Sequence, residues 1–419
     1  MSRLRFVHAA DLHLDSPFTG LQSVVPEIAA YLREATFAAY DAIVDTCISE
    51  RVDALLIAGD VYDGADRSLR AQLKFVDGLQ RIDAAGIRSF VCHGNHDPLD
   101  GWEARLNLPP GCHRFGADVE QVPLDVADPG RALICGISYP KRDVRENLIP
   151  RFGRCDPDVF AIGLLHTNVG GNMEHEAYAP CTLDDLKATG IDYWALGHIH
   201  TRQVLHEADP TVVYPGNPQG RHAKEVGARG VYLADVSDSG QVRLEFRPAD
   251  SVRWESVEIS IDGLETEQDL LDVVQKRSSE AVDEADSRHL IYRITIEGRG
   301  PVHHAVRRPG FADDLHDRVN DSYSGQTPFA WCERVEVSTT VPFDREDRRQ
   351  ASDFIGDLLR LVDQLRDDDD LLHRMTVELE PMFHHGRAKR YLRQLPTIEE
   401  LRSLLTEAET RCLRELIEA

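Results

Sequence analysis

Five short stretches of this chain hold residues that ligate metals or move protons. They are Asp11 and His13 in "DLHLDS", Asp60 in "AGDVYD", Asn95, His96 and Asp97 in "GNHD", His166 in "LLHTN", and His198 and His200 in "GHIH". Each follows an apolar run such as "RFVHAA", "ALLIA" or "YWAL". A strand repeats every second residue, so Asp11 and His13 share one side, as do His198 and His200. Singly, each residue has a plain structural explanation: an Asx turn for Asp60 or Asn95, a hydrogen-bonded turn histidine for His166. Together they do not, because five separate strand ends would have to become metal-competent by accident. In an open α/β sheet, sites are built at the carboxyl ends of the strands, so these residues would meet in one crevice.

The donors are carboxylate, imidazole and amide, without a thiolate. That set suits Mn, Fe or Zn in a mixed oxygen and nitrogen environment, with Mn²⁺ the first choice. There are too many donors for one ion, so two divalent cations are expected. A bridging carboxylate would hold them roughly 3.5–4 Å apart, the spacing used in phosphoester hydrolysis. Such a pair lowers the pKa of a bound water and braces the charge of an in-line attack on phosphorus.

The elements that must position these residues follow from periodicity. "RFVHAAD" leads into a helical pattern from about Val25 to Glu50, and then into "DALLIAGD". A second helix is expected over Ser68 to Ala85, with Leu69, Leu73, Val76, Leu79 and Ile82 on one stripe and Gly86 as its stop. "SFVCHGN", "ALICGIS", "FAIGLLHTN", "DYWALGHIH" and "RGVYLADV" read as further buried strands. Short buried strands separated by helices mean an α/β domain with a layered core, here residues 1–250. Over 251–342, "VEISIDG", "LIYRITIEG" and "WCERVEV" alternate like half-exposed strands around a helix at "TEQDLLDVVQKR", indicating a small α+β domain. Residues 343–419 read as helices, the last opened by Thr397 and Glu400 at capping-box spacing. "RDDDDLL" reads as a solvated loop between helices.

Composition bounds the rest. With 72 acidic against 47 basic residues, the net charge of −25 argues against a general nucleic-acid coater. Two dications at one site would still anchor a phosphodiester. The eight cysteines are scattered without a CxxC pair, which suits buried core thiols in a reducing cytoplasm and neither a zinc ribbon nor a disulfide framework. No apolar run approaches the roughly 18–20 residues of a membrane span, and the N-terminus lacks the long apolar stretch of a secretory signal. Local basic groups remain as candidate DNA contacts. Asn217, Gln219, Arg221 and His222 lie in the Gly-rich "GNPQGRHAKE". Arg307 and Arg308 lie in "GRGPVHHAVRRPG", with Arg299, His303 and His304. Arg387, Lys389, Arg390 and Arg393 lie in "HHGRAKRYLRQL". Each has a bland counterpart, as a structural turn, a solvated loop or a set of salt bridges.

The order "DLH", "GD", "GNHD", "LLHTN", "GHIH" over residues 11–200 resembles the calcineurin-like metallophosphoesterase family. Within it, "AADLHLDSPF", "AGDVYD" and "YPGNPQGRH…KEVGARG" look most like the DNA-repair exonucleases of the SbcD and YhaO type. The resemblance implies a layered metallophosphoesterase fold, then a capping domain and C-terminal helices. It implies that Asp11, His13 and His200 hold one metal, that Asn95, His166 and His198 hold the other, and that Asp60 bridges them. His96 would stabilise the transition state or protonate the leaving oxygen, oriented by Asp97. It implies DNA as substrate and an SMC-like coiled-coil ATPase docked on the C-terminal helices, whose default alternative is to pack on each other. A homodimer is also compatible with it. One position departs from the pattern: a second histidine is frequent three residues after the bridging aspartate, and here that residue is Asp63, which cannot play a cationic phosphate-facing role; either substrate geometry or rate differs from the standard nuclease, or Asp63 is no more than a turn residue. Two other readings stay open, a phosphatase or phosphodiesterase for small nucleotides or phosphoproteins, and a noncatalytic metal-structured scaffold for an ATPase.

Overall fold

The computed structural model describes the chain except residues 1–3, 22–25, 65–67, 102–103, 105, 126–130, 154–157, 171–177, 341–344, 385–394 and 418–419. Two compact units emerge. The first comprises Met1–Ser256, Glu280–Arg293 and Asn320–Glu333, and the second Val257–Ser279, Ile294–Val319 and Arg334–Ala419.

The first unit is built on two six-stranded sheets. One contains β1 (Leu4–Ala9), β2 (Ala54–Ala58), β3 (Arg88–Cys92) and β4 (Cys112–Arg114), parallel in that order. It is extended beyond β1 by antiparallel β11 (Gly230–Val236) and β12 (Val242–Pro248). The other runs β5 (Glu120–Pro123), β6 (Leu133–Gly136), β7 (Ala161–His166), β8 (Tyr193–Gly197), β10 (Thr211–Tyr214), β9 (Gln203–His206), with β6, β7, β8 and β10 parallel.

The period of two divides each central strand between two cores. In β2, Ala54, Leu56 and Ala58 pack with Ile134, Ile162 and Leu164 between the sheets, while Leu55 and Ile57 pack beneath the helices α1 (Pro26–Glu50) and α2 (Leu69–Ala84). A strand buried on both faces has no polar alternation, which is why "ALLIA" reads as a continuous apolar run. Ser68 caps α2 through Ala71 N–H at 2.9 Å, and Gly86 beyond its end has φ 76°. On the far face of the second sheet, Trp194, Leu196 and Ile149 form a third core with α3 (Leu183–Lys187).

One smaller cluster matters for the site. Trp254 is buried among Ile28 and Leu32 of α1 and Ile291, Phe329 and Trp331, and its Nε1–H donates to Gly220 O at 3.2 Å. This ring therefore supports the loop around residues 217–225. Trp254→Ala is expected to lower stability by about 3–5 kcal/mol, the range for truncating a buried aromatic. Urea unfolding of the two proteins checks this, and a change below about 1 kcal/mol would show that the cluster relaxes around the loss.

A three-stranded sheet of β13 (Val252–Ser260), β14 (His289–Arg299) and β15 (Ala330–Thr340) follows, with helices α4 (Glu267–Glu284), α5 (His303–Val306) and α6 (Phe311–Ser322) between its strands. The expected α+β texture is present. "PVHHAVRRP" differs from a loop: it contains α5, in which His303 is buried and bonds Thr339 Oγ1 at 2.9 Å. Among the described residues, four helices follow β15: α7 (Arg345–Gln350), α8 (Phe354–Asp367), α9 (Asp369–His384) and α10 (Ile398–Ile417). "RDDDDLL" is also not a loop. Asp368 accepts from Asp370 N–H and Leu371 N–H, and Asp369 and Asp370 form the first turn of α9. Acidic residues are favourable there because they face the positive end of the helix dipole. The capping box of α10 is present, with Thr397 N–H donating to Glu400 Oε2 at 2.7 Å. Arg345 holds α8 and α10 together through Asp363 and Glu409, and Leu359, Leu401 and Leu413 are buried. The basic run Arg387–Arg393 lies outside the described residues.

Candidate metal centre

The carboxyl ends of β1, β2, β3, β7 and β8 converge, and all seven expected ligands meet there, inside the first unit. Ligand atoms of Asp11, His13 and His200 lie within 4.8 Å of one another, as do those of Asp11, Asp60 and His166. Asn95 Oδ1 is 2.9 Å from His166 Nε2. Asp60 Oδ2 is 3.3 Å from His166 Nε2 and 4.0 Å from His13 Nε2, so one carboxylate oxygen stands between the two groups. His198 joins through its backbone N–H, which donates to the Asp11 carboxylate at 3.1 and 3.2 Å, and its ring lies edge-on to His166 at 5.2 Å.

Backbone and packing both bend to this arrangement. Asp11, His13, Asp60 and His198 have φ of 52°, 43°, 51° and 101°. Left-handed backbone costs non-glycine residues on the order of 1–3 kcal/mol each, and such strain concentrates where function requires it. The glycines of three motifs, Gly59, Gly94 and Gly197, leave room for one ring. A Cβ on Gly59 would run into His166 Nδ1, one on Gly94 would come within 2.8 Å of His166 Cδ2, and one on Gly197 within 3.0 Å of His166 Nδ1.

Hydrogen bonding fixes which imidazole nitrogen carries the proton. His13 Nδ1 is 2.8 Å from Asp63 Oδ1, and His200 Nδ1 is 2.7 Å from Glu225 Oε1. A carboxylate only accepts, so each Nδ1 is the N–H and each Nε2 presents a lone pair. Those two Nε2 atoms face each other at 3.2 Å. His166 repeats the pattern: its Nδ1–H donates to Ala58 O at 3.0 Å, and its Nε2 is turned on two acceptors, Asn95 Oδ1 and Asp60 Oδ2. The His13 and His200 Nε2 lone pairs repel unless positive charge lies between them, and the two oxygens facing His166 Nε2 call for a proton or a metal ion on that nitrogen. Burial opposes charge on His166, yet the Asp60 carboxylate outweighs it and lifts the ring to about 9. Burial, with Arg221 adding to it, lowers His13 to about 4 and keeps that ring a neutral donor. A buried set of oxygen and imidazole donors that draws cations fits divalent metals of the Mn, Fe or Zn class.

Next to the metal-ligand cluster stands His96, whose side chain is 39% exposed. Its partner corrects an expectation. Asp97 does not orient His96: Asp97 is fully buried and accepts from Gly94 N–H at 2.7 Å, Val61 N–H at 2.8 Å and His93 Nδ1–H at 2.9 Å. It closes its own turn onto the neighbouring strand end, as a carboxylate three residues after a donor readily does. Asp63 takes the other role, with Oδ1 2.8 Å from His96 Nδ1. Asp63 Oδ2 accepts from Arg221 NH1 at 3.0 Å and from the Ser16 hydroxyl. Burial works against this carboxylate's charge, but the His13 and His96 bonds hold it well below the usual range.

The Gly-rich loop divides in two. Asn217 and Gln219 are 1% exposed and do not face a ligand. Asn217 bonds Gln219 O and Arg229, and Gln219 bonds the backbone of Gly220, Ser251 and Val252. An amide side chain satisfies both polarities of nearby backbone at once, so these two serve the turn. Arg221 sits at the metal-ligand cluster through Asp63 and is 13% exposed. His222 is half-buried, 3.5 Å from Glu225, and burial lowers its pKa. Arg307 and Arg308 belong to the second unit, where Arg308 pairs with Glu267 at 2.7 Å. Sequence reasoning missed Glu225 and Arg229, whose NH1 donates to His200 O and Asn217 Oδ1. Both act on His200 from more than twenty residues away; they stand in "KEVGARG", a stretch that contributes to the family resemblance but gives no sign by itself of a contact with His200.

Comparison with known proteins agrees with the geometry. Residues 4–202 match the calcineurin-like phosphoesterase family, and residues 254–340 match the middle domain of metallophosphoesterase YhaO. The chain is 33% identical over 414 residues to metallophosphoesterase YhaO of Bacillus subtilis, covering 99% of each. It is 26% identical over 260 residues to DNA double-strand break repair protein Mre11 of Aeropyrum pernix, covering 57% of this chain and 59% of that one. Against the SbcD component of the SbcCD nuclease of Bacillus subtilis it is 25% identical over 292 residues, covering 61% and 70%. With a full-length likeness to YhaO and five motifs meeting in one buried cluster of donors, the chain belongs to the calcineurin-like metallophosphoesterase family.

Proposed function

We propose that this protein is a two-metal phosphodiesterase acting on DNA, a repair exonuclease of the cytoplasm. The observation that carries the hydrolytic reading is the set of imidazole Nε2 atoms turned on one another, on the Asn95 amide oxygen and on the Asp60 carboxylate. Asp11, His13 and His200 would hold one ion, Asn95, His166 and His198 the other, and Asp60 would be shared. The ions are assigned as Mn²⁺, with Fe or Zn as alternatives. Such a pair supplies charge to the phosphate and acidity to a water. The chain's own residues do the rest. His96, with Nδ1–H committed to Asp63, keeps Nε2 for the leaving oxygen or a phosphate oxygen. Arg221 adds a half-buried guanidinium on the other oxygen of Asp63.

DNA is favoured because the partial-length relatives are named as a double-strand break repair protein and a nuclease component. We assign residues 1–250 to catalysis, 251–342 to a cap that shapes DNA access through Arg307 and Arg308, and 343–419 to docking an SMC-like ATPase. Phe354, Leu361, Val377 and Leu404 are exposed apolar residues in that last segment. None of the helices among the described residues is long and apolar enough to cross a membrane.

The test is hydrolysis of end-labelled linear duplex DNA with Mn²⁺, beside bis(p-nitrophenyl) phosphate, with wild type and His96→Ala. Loss of labelled ends in wild type only is the expected result, and the label reports polarity. Cleavage of the small ester with DNA untouched would overturn the DNA assignment for the isolated chain. Two bound ions without hydrolysis of either would favour the scaffold.

A further inference from the structure

We propose that the turn at residues 140–145 is a phosphate-backbone site for a DNA strand at the rim of the metal-ligand cluster, with Lys141 and Arg142 as its two cations. This rests on the phosphodiesterase reading above and names the residues that would let the site hold a strand rather than a small ester.

The turn leaves the carboxyl end of β6, beside the carboxyl ends of β7 and β8 that carry His166 and His198. It is stapled to the cluster at both ends. On entry, Ser138 Oγ accepts from His93 N–H at 3.0 Å, Tyr139 N–H donates to His93 O at 3.0 Å, and Tyr139 O accepts from Leu99 N–H at 2.9 Å. These bonds flank "GNHD", the stretch of Asn95 and His96. The Tyr139 hydroxyl donates to His166 O at 2.7 Å. On exit, Val144 O accepts from Ala179 N–H at 2.8 Å. The neighbouring Tyr178 ring lies edge-on to His198 at 5.8 Å, and the Arg145 guanidinium stands over that ring at 4.7 Å. Tyr139 and Val144 are buried in the third core, so little freedom is left to the backbone between them.

At the tip, Lys141 and Arg142 are exposed, and neither has an ion pair or a side-chain hydrogen bond among the described residues. The other cations are committed: Arg221 to Asp63, Arg308 to Glu267, and Arg145 to Asp143 in the turn itself. In a chain of net charge −25, two uncommitted cations on a fixed turn beside the cluster are a local reversal of sign. A polyanion gains from it, because each neutralised phosphate releases condensed counterions. Such contacts set the register of a strand without reading its sequence. A small diester has one phosphate and nothing to offer the turn, whereas a strand carries further phosphates past it.

The test compares Lys141→Gln/Arg142→Gln with Lys187→Gln/Arg243→Gln, which loses the same charge elsewhere. Lys187 ends α3, which leads into the amino end of β8. Arg243 is in register with Asp235, which pairs with Arg5 at the start of β1. Both controls therefore lie away from the carboxyl ends of the strands. Each pair is made in His96→Ala, which keeps bound DNA from being digested, and all four side chains are exposed, so the fold should be kept. The dissociation constant of a fluorescent duplex is read with Mn²⁺ from about 50 to 200 mM KCl. Loss of Lys141 and Arg142 is expected to weaken binding by about 10-fold or more at the lower salt. It should also flatten the slope of log K against log salt by about 2, close to one per phosphate contact. The control pair is expected to change affinity by less than about 3-fold, with little change of slope. Equal effects of the two pairs would overturn the proposal and leave the DNA assignment standing. If neither wild type nor His96→Ala binds duplex, both fall. A wild type that binds duplex but hydrolyses no ester would sink the phosphodiesterase reading alone, and the two pairs would still decide on the turn.

Discussion

Asp60→Asn is expected to leave the chain folded, reduce bound Mn²⁺ from two ions to at most one, and lower phosphodiester hydrolysis by about 10³-fold. The magnitude follows from the several kcal/mol that a metal pair contributes to the transition state, at about 1.4 kcal/mol per tenfold. Asp60 is chosen because its Oδ2 faces His166 Nε2 and His13 Nε2 at once. Its Oδ1 accepts the His96 backbone N–H at 2.9 Å, a bond that the asparagine carbonyl can keep. The asparagine N–H₂ would then point at imidazole lone pairs and satisfy them without a cation. Folding of the metal-free chain should therefore be unharmed, and a thermal melt in chelator checks it. Metal content after dialysis, read beside the hydrolysis rate, checks the rest. Two ions retained at normal affinity would show that Asp60 is not shared between them.

His96→Ala is expected to behave differently: about 10²–10⁴-fold slower turnover, the range for a proton-transfer or phosphate-facing side chain, with both ions retained. The contrast is geometric. The His96 backbone N–H, not its ring, is what Asp60 uses, and alanine keeps that N–H. The ring itself is 39% exposed, whereas His13 and His166 have side-chain exposures of 1% and 0%. Truncation should therefore cost little stability. A rate close to wild type would remove His96 from the chemistry. Loss of metal would mean that the ring supports the ligand cluster.

The elements were legible wherever one residue's environment depends on its near neighbours. The apolar runs of β2, β7 and β8 each state their own burial, whereas the stripe expected for α2 holds only at Leu79 and Ile82: Leu69 and Leu73 are exposed, and Ala71 and Phe75 are buried instead. The stop at Gly86 and the capping box at Thr397 are short-range hydrogen bonding and backbone geometry. "RDDDDLL" shows how composition misleads. Four carboxylates in a row read as solvated loop, but Asp367 ends α8, Asp368 bonds the N–H groups opening α9, and Asp369 and Asp370 suit its first turn.

Within the site, the sequence by itself determined the candidate donors, seven residues of metal-binding type at the ends of apolar strands, and the family they resemble. Their glycines, too, stand inside the motifs. Only the tertiary structure decided how those donors are held. It set Asp97 aside as a turn clamp, gave its expected role to Asp63, and brought in Glu225 and Arg229 behind His200. It also turned Asn217 and Gln219 from candidate DNA contacts into buried backbone partners. The reason is physical. A ligand's chemical type is carried by its own side chain, but its tautomer and aim come from whichever acceptor lies within about 3 Å, and folding alone chooses that acceptor.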